Sequence, residues 1–324
     1  MFKSLADIKA PIKEEIASFE DHFKATMKSD VALLDKVLYY IVQRKGKQVR
    51  PVFVFLCAKM CGPIVEKTYN AASLIELLHT ASLVHDDVVD DSYERRGMFS
   101  INALWKNKIA VLIGDYMFSQ GMLLALNNDA LDIFKIISKA MTEIVEGELL
   151  QIEKARKLNI KEEIYYDIIR QKTATLIAAS CSAGAASTSN DEVLIEKFRL
   201  FGEKIGIAFQ IKDDLFDFGF DNVGKPTGID IKEKKMTLPL IYALNNADYS
   251  TRRKMMNIVK RHNEDKRKVA EVIDFVRNSG GMDYANTKML EYQKEALDIL
   301  ETLAESASKT SLIDLVHFIT ERRN

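Results

Sequence analysis

Two short runs of the 324-residue sequence carry aspartates at a spacing suited to metal chemistry. In the first, over 77–97, an apolar stretch meets Asp86, Asp87, Asp90 and Asp91 and ends on Arg95 and Arg96. On a helix, Asp86 and Asp90 lie one turn apart on one face. Like charges at that spacing repel, so a cation that neutralises them is the simplest way to keep them. Carboxylates without clustered Cys or His suit Mg²⁺, which retains waters and takes phosphate oxygens as further ligands. The arginine pair within two turns suits phosphate.

The second run repeats the first. Asp213, Asp214 and Asp217 follow Gln210 and Lys212 at the end of another apolar stretch. A helix C-terminus carries partial negative charge, so three aspartates there are doubly unfavourable without a cation. If the two helices face each other, six carboxylates form a rim above an apolar interior. Divalent metal bridging that rim would hold a diphosphate, and the apolar shaft below would take a hydrocarbon tail. This arrangement fits ionisation of an allylic diphosphate, with metal stabilising the leaving group and water excluded from the cation.

These groups need long helices to carry them, and the composition supplies them. Hydrophobic residues make up 47% and charged residues 29%, with only 14 Gly and 5 Pro. That balance favours helices over a turn-rich β architecture. Formal net charge is −1, which argues against nucleic acid as a partner. Cys57, Cys61 and Cys181 read as packed thiols in a reducing compartment rather than a disulfide framework. With no run of 18 apolar residues and a charged N-terminus, neither a membrane span nor a signal peptide is expected, and the compartment expected is the cytoplasm.

In chain order, residues 1–30 suggest an amphipathic helix begun near Pro11, and Asp30 is placed to cap the next. Four cations, Arg44, Lys45, Lys47 and Arg50, surround Gly46, which reads either as a solvated turn or as a polyanion clamp. Helices are expected over 52–61, 68–91, 103–106, 109–126 and 131–157. The small-residue run after Lys172-Thr173 allows close approach of a helix or a ligand, with helix packing the stronger reading. Ser189-Asn190-Asp191 is a turn and cap, 192–218 a buried helix, and 219–235 a loop. No strand alternation, fixed repeat or low-complexity linker appears. The expectation is one all-α domain over 1–324, a large helical bundle around a central apolar cavity.

DDVVD at 86–90 and DDLFD at 213–217 resemble the two aspartate-rich motifs of trans-isoprenyl diphosphate synthases. GKQVRP at 46–51, GDYM at 114–117, KT at 172–173, GKPTGID at 224–230 and KKMTLPLIY at 234–242 arrive in that family's order. Either acidic motif alone is a modest signal, but the ordered set spans essentially the whole chain. The resemblance implies that Asp86 and Asp90 ligate Mg²⁺ with Asp87 in support. Asp213 and Asp217 would hold metal opposite, with Asp214 close by. It implies that Arg95, Lys172, Thr173, Gln210, Lys225 and Lys235 contact the allylic diphosphate, farnesyl diphosphate being the expected primer. Lys47, Arg50, His79 and Arg96 would hold isopentenyl diphosphate. His79 read by itself is a satisfied core histidine. Relatives of this type are usually homodimers. Two departures stand out: Gln48 replaces an arginine of many relatives, and Lys234 stands where glycine usually precedes the lysine matching Lys235, which leaves the choice between Lys234 and Lys235 open.

Product length is read one turn before the first motif, at Ala81 and Ser82. A bulky aromatic there forms the floor in short-chain members of the family. Here both residues are small, and a turn rises about 5.4 Å, a little more than one isoprene unit. The expected product is therefore long, about C30–C50 with octaprenyl as the centre, of the kind used for quinone side chains. Phe118, Phe134 and Met141 are candidates for a deeper floor. Shorter-chain synthases and a non-catalytic helical subunit are the alternatives. The second keeps little support, because both aspartate sets and the lysines are present.

Overall fold

The computed structural model describes residues 4–43, 46, 48–95, 97–157, 161–219 and 227–321. The N-terminal amphipathic stretch is broken into three pieces. A capped turn, α1 (Leu5–Ile8), and a 3₁₀ turn at Ala10–Ile12 precede α2 (Lys13–Thr26). Pro11 supplies the reason, since it lacks an N–H and fits only a first turn. Next come α3 (Ala32–Gln43), α4 (Val49–Cys61) and α5 (Glu66–Val89). In α5, Ala71, Ala72, Leu74, Ile75, Leu77 and Leu78 are buried on every side, as expected of a helix without a polar face.

One small ladder was not expected. Glu94–Arg95 (β1) and Met98–Phe99 (β2) pair antiparallel around Gly97, which takes a positive φ of 73°. The following α6 (Ile101–Asn127) contains a break at Lys106 (φ 72°, ψ 160°), so the two helices read in the sequence run on through a kink. Among the described residues α6 is the one helix long and apolar enough, by length and composition alone, to cross a membrane, and a third of that stretch is buried inside the fold. Its packing gives the physical reason for that composition. One side of α6 lies on α5, while Leu104, Val111, Met122 and Leu126 form an exposed stripe. An apolar helix with two apolar faces needs two partners.

The remaining helices are α7 (Leu131–Lys157), α8 (Glu162–Ile169), α9 (Thr175–Thr188), α10 (Glu192–Phe218), α11 (Ile229–Lys232), α12 (Leu238–Asn245), α13 (Tyr249–Arg261), α14 (Lys266–Asn278), α15 (Gly281–Glu301) and α16 (Ala307–Glu321). Asp191, Asp248 and Asp265 cap α10, α13 and α14 by accepting backbone N–H groups. Every residue of α9 from Thr175 to Ser187 is buried. The small side chains there serve close packing against α4, α7 and α10. Helix α9 touches both α5 and α10, so the two acid-bearing helices flank a shared neighbour.

Candidate active site

Both acidic runs sit at the C-terminal ends of their helices. In each, the second aspartate turns inward: Asp87 is 2% exposed and Asp214 4% exposed. Adjacent helical residues point about 100° apart, so one motif serves two directions. At the end of α5, Asp86 and Asp90 open to solvent. Asp87 instead accepts a hydrogen bond from Arg95 Nε at 2.7 Å, which anchors the arginine of β1. His85 ties this end of α5 to α6, with Nε2 3.2 Å from the Val111 carbonyl and 3.6 Å from Asp115.

At the end of α10 the groups are wired together. Asp214 accepts from Tyr165 (2.7 Å) and from Gln210 Nε2 (3.0 Å). Thr173 in turn donates to Gln210 Oε1 at 2.8 Å. Asp217 accepts the backbone N–H groups of Ile229 (2.8 Å) and Asp230 (3.3 Å), fixing the turn that leads to Lys235. Asp213 is half-buried beside them.

Lys172 and Thr173 reach the site from a π-helical turn, Arg170–Ala174, between α8 and α9. Such turns insert a residue into a helix and often mark functional positions. Two neighbouring helices press on this one. A β-carbon on Gly147 of α7 would lie 2.7 Å from Gln171 Cβ, and one on Gly206 of α10 would lie 2.5 Å from Ala174 Cα. Only glycine at both places lets the widened turn fit.

Lys172, Lys235 and Asp90 line one open cavity of about 730 Å³, together with Glu148, Gln151 and Lys260. Lys172 is ion-paired with Glu148, and its Nζ is 3.5 Å from Gln151 Oε1. Lys235 is ion-paired with Glu233 and lies 3.7 Å from Asp230. Burial works against the Lys235 charge, but Glu233, Asp230 and Asp214 outweigh it and raise its pKa. Of these two cavity lysines, Lys172 thus acts on the first cluster at Asp86, and Lys235 is acted on by the second at Asp214.

The carboxylates are crowded and incompletely neutralised. Asp86 keeps part of its surface in water, yet the solvation lost to packing around its carboxyl, then the Glu148 and Asp90 charges, push it up to about 6 against the pull of Lys172 and Arg95. Burial and the Asp230 charge raise Asp214 to about 7, against the pull of Gln210 and Tyr165. Asp217 rises to about 6 for the same two leading reasons. Among the described residues no three acidic, Cys or His side chains already converge on one point as a metal cage. An oxygen-only, electron-rich rim without a closed cage fits Mg²⁺, which keeps waters and shares its sphere with phosphate.

The other expected residues distribute as follows. Arg50, His79 and Ser82 are half-buried, and Ala81 is fully buried in the core. Ser82 Oγ donates to the His79 carbonyl. Phe118, Phe134 and Met141 pack against the core, Phe118 facing the His85 ring at 5.9 Å. Lys47, Arg96 and Lys225 lie outside the described residues. The sequence reading missed Tyr165, Asp230 and Glu148. Tyr165 is two helical turns before Lys172, and Glu148 follows a glycine in an acidic stretch, but neither spacing announces the tertiary contact.

Residues 31–276 match the polyprenyl synthetase family. The chain is 36% identical over 321 residues to the all-trans-nonaprenyl-diphosphate synthase (geranyl-diphosphate specific) of Rhodobacter capsulatus, covering 98% of this chain and 97% of that protein. Among solved structures, a polyprenyl synthase from Caulobacter crescentus complexed with calcium and isoprenyl diphosphate superposes with TM-score 0.91 at 28% identity, over 100% of this chain and 99% of that one. A geranylgeranyl pyrophosphate synthase from Bacteroides thetaiotaomicron gives TM-score 0.83 at 38% identity, over 98% and 99%. With its paired acidic motifs, all-α bundle and near-complete coverage of these relatives, this chain belongs to the polyprenyl synthetase family of prenyltransferases.

Proposed function

We propose that the chain is a single-domain, long-chain trans-polyprenyl diphosphate synthase that adds isopentenyl diphosphate to an allylic diphosphate, with farnesyl diphosphate as primer. The observation that carries this reading is one cavity lined by Asp90, Lys172 and Lys235, in which Lys172 is close enough to Asp86, and Lys235 close enough to Asp214, for their charges to interact. Asp86 and Asp90 on one side and Asp213 and Asp217 on the other would hold Mg²⁺, which supplies positive charge to the departing diphosphate. Arg95, Lys172, Thr173, Gln210, Lys225 and Lys235 bind the allylic diphosphate. Lys47, Arg50, His79 and Arg96 hold isopentenyl diphosphate. The allylic C–O bond breaks and its electron pair leaves with diphosphate. The isopentenyl alkene pair then forms the new C–C bond, and released diphosphate accepts the proton lost from the adduct.

Small side chains at Ala81 and Ser82 support a product of about C30–C50, octaprenyl at the centre, because each turn of α5 spans roughly one isoprene unit. Helix α7, next to α6, also exposes Leu131 and Leu149. Its best occupant is a second copy of the chain, giving a cytoplasmic homodimer, since a patch this apolar is seldom left to solvent. The test uses purified protein, Mg²⁺, labelled isopentenyl diphosphate and farnesyl diphosphate, with products sized after dephosphorylation. Wild type should yield C30–C50 chains, and Ala81→Phe should shorten them to about C15–C20 because an aromatic ring closes roughly one turn of the shaft. Unchanged lengths in the variant would remove Ala81 from chain-length control.

A further inference from the structure

Four lysines line the open cavity, and they fall into two kinds. Lys172 and Lys235 are committed to carboxylates, Glu148 for one, Glu233 and Asp230 for the other. Lys234 and Lys260 have no carboxylate partner among the described residues. Both line the same cavity as Asp90 and Lys172.

Their placement is built rather than incidental. Lys234 adopts φ 58°, the left-handed region that glycine occupies at little cost and a lysine does not. Strain of this kind persists where surrounding structure enforces it, often at functional positions. The turn is held on both sides. The Lys235 N–H donates to the Asp230 carbonyl at 2.8 Å, and Lys234 N–H donates to the Ile231 carbonyl at 3.1 Å. Asn263, just beyond the end of α13, donates its side-chain amide to the Lys232 carbonyl. Asn263 is three residues after Lys260, so this contact docks the end of α13 onto the turn carrying Lys234. Two cations from separate elements are thereby delivered to one opening.

We propose that Lys234 and Lys260 form an outer diphosphate-binding pair that captures the allylic substrate at the mouth of the cavity and retains diphosphate there. The inference rests on the prenyl-transfer reading and extends its binding site to α13, an element none of the sequence motifs reaches. Among the described residues the pair has no carboxylate partner to displace, so an incoming diphosphate gains two charge-assisted contacts without breaking an ion pair there. Lys260 is exposed and Lys234 half-buried, so salt should weaken the contacts.

Lys234→Gly, Lys260→Ala, the double variant and Lys260→Arg test it. Each single loss should raise KM for farnesyl diphosphate about three- to tenfold, the range for an exposed charge-assisted contact, and the double variant more. KM for isopentenyl diphosphate should stay near wild type, and Lys260→Arg should recover most of the loss. Inhibition by inorganic diphosphate should weaken in parallel, and the salt dependence of farnesyl KM should flatten. Lys234→Gly should also melt a few degrees higher, because the strained residue is gone. Titration calorimetry with Mg²⁺ and inorganic diphosphate reads the same contacts without turnover. A wild type that binds diphosphate but makes no polyprenyl product would contradict the prenyl-transfer reading alone. Unaltered farnesyl KM and diphosphate affinity in the double variant, or a rise confined to isopentenyl KM, would overturn the outer pair.

Discussion

The ends of α5 and α10 carry the same aspartate spacing in opposite surroundings. At α5 the outward pair, Asp86 and Asp90, faces water, and only Asp87 is enclosed, by Arg95. At α10 the enclosed Asp214 holds two side-chain donors, and Asp217 holds two backbone donors. One end is open and adaptable, while the other is fixed in advance by its neighbours. This division suits a site that must admit a new diphosphate each cycle yet keep one wall in register.

The comparison is broken most severely by removing a proposed metal ligand from either side. Asp86→Ala and Asp213→Ala should each lower turnover by on the order of a hundredfold or more, as loss of an electrostatic stabiliser does. Steady-state rates with farnesyl and isopentenyl diphosphates check this, and near-normal turnover in either variant would remove that cluster from the chemistry.

A milder change distinguishes the fixed end from the open one. Tyr165→Phe deletes one hydrogen bond to a charged acceptor, worth about 1.5–3 kcal/mol, and should cut kcat about tenfold. The apparent Mg²⁺ requirement should rise with it, because Asp213 and Asp217 flank the loosened Asp214. A fall in melting temperature with unchanged kcat and Mg²⁺ dependence would make Tyr165 merely structural.

The smallest effect is on stability against pH. Asp86, Asp214 and Asp217 rise from an ordinary 3.8 to about 6, about 7 and about 6. Between roughly pH 4 and 7 the folded, metal-free protein therefore binds more protons than the unfolded chain. Its stability should fall as pH rises through that window, and the penalty is complete above it. Mg²⁺ competes with those protons, so added Mg²⁺ should raise the melting temperature more near pH 8 than near pH 5.5. Equal Mg²⁺ effects at both would show that the carboxylates are not the cation's partners.

Much of this was legible in the sequence because it depends on local periodicity. The long helices over 131–157 and 192–218 follow from apolar spacing, and Asp191 from cap chemistry. The inward turn of Asp87 and Asp214 is implicit in two adjacent aspartates on a helix. What escaped depends on contact between distant segments. The π turn at Arg170–Ala174 needs glycines from α7 and α10, and no local signal marks it. Tyr165 meets Asp214 across 49 positions of sequence. The β1–β2 ladder is two residues long on each side, too short for alternation to register.

The most direct test is where the metal sits. Crystals grown with Mn²⁺ and an unreactive thio analogue of farnesyl diphosphate should show anomalous scattering at two places, beside Asp86 and Asp90 and beside Asp213 and Asp217, with the diphosphate between them. Manganese at neither cluster, or a diphosphate bound away from both, would contradict the account.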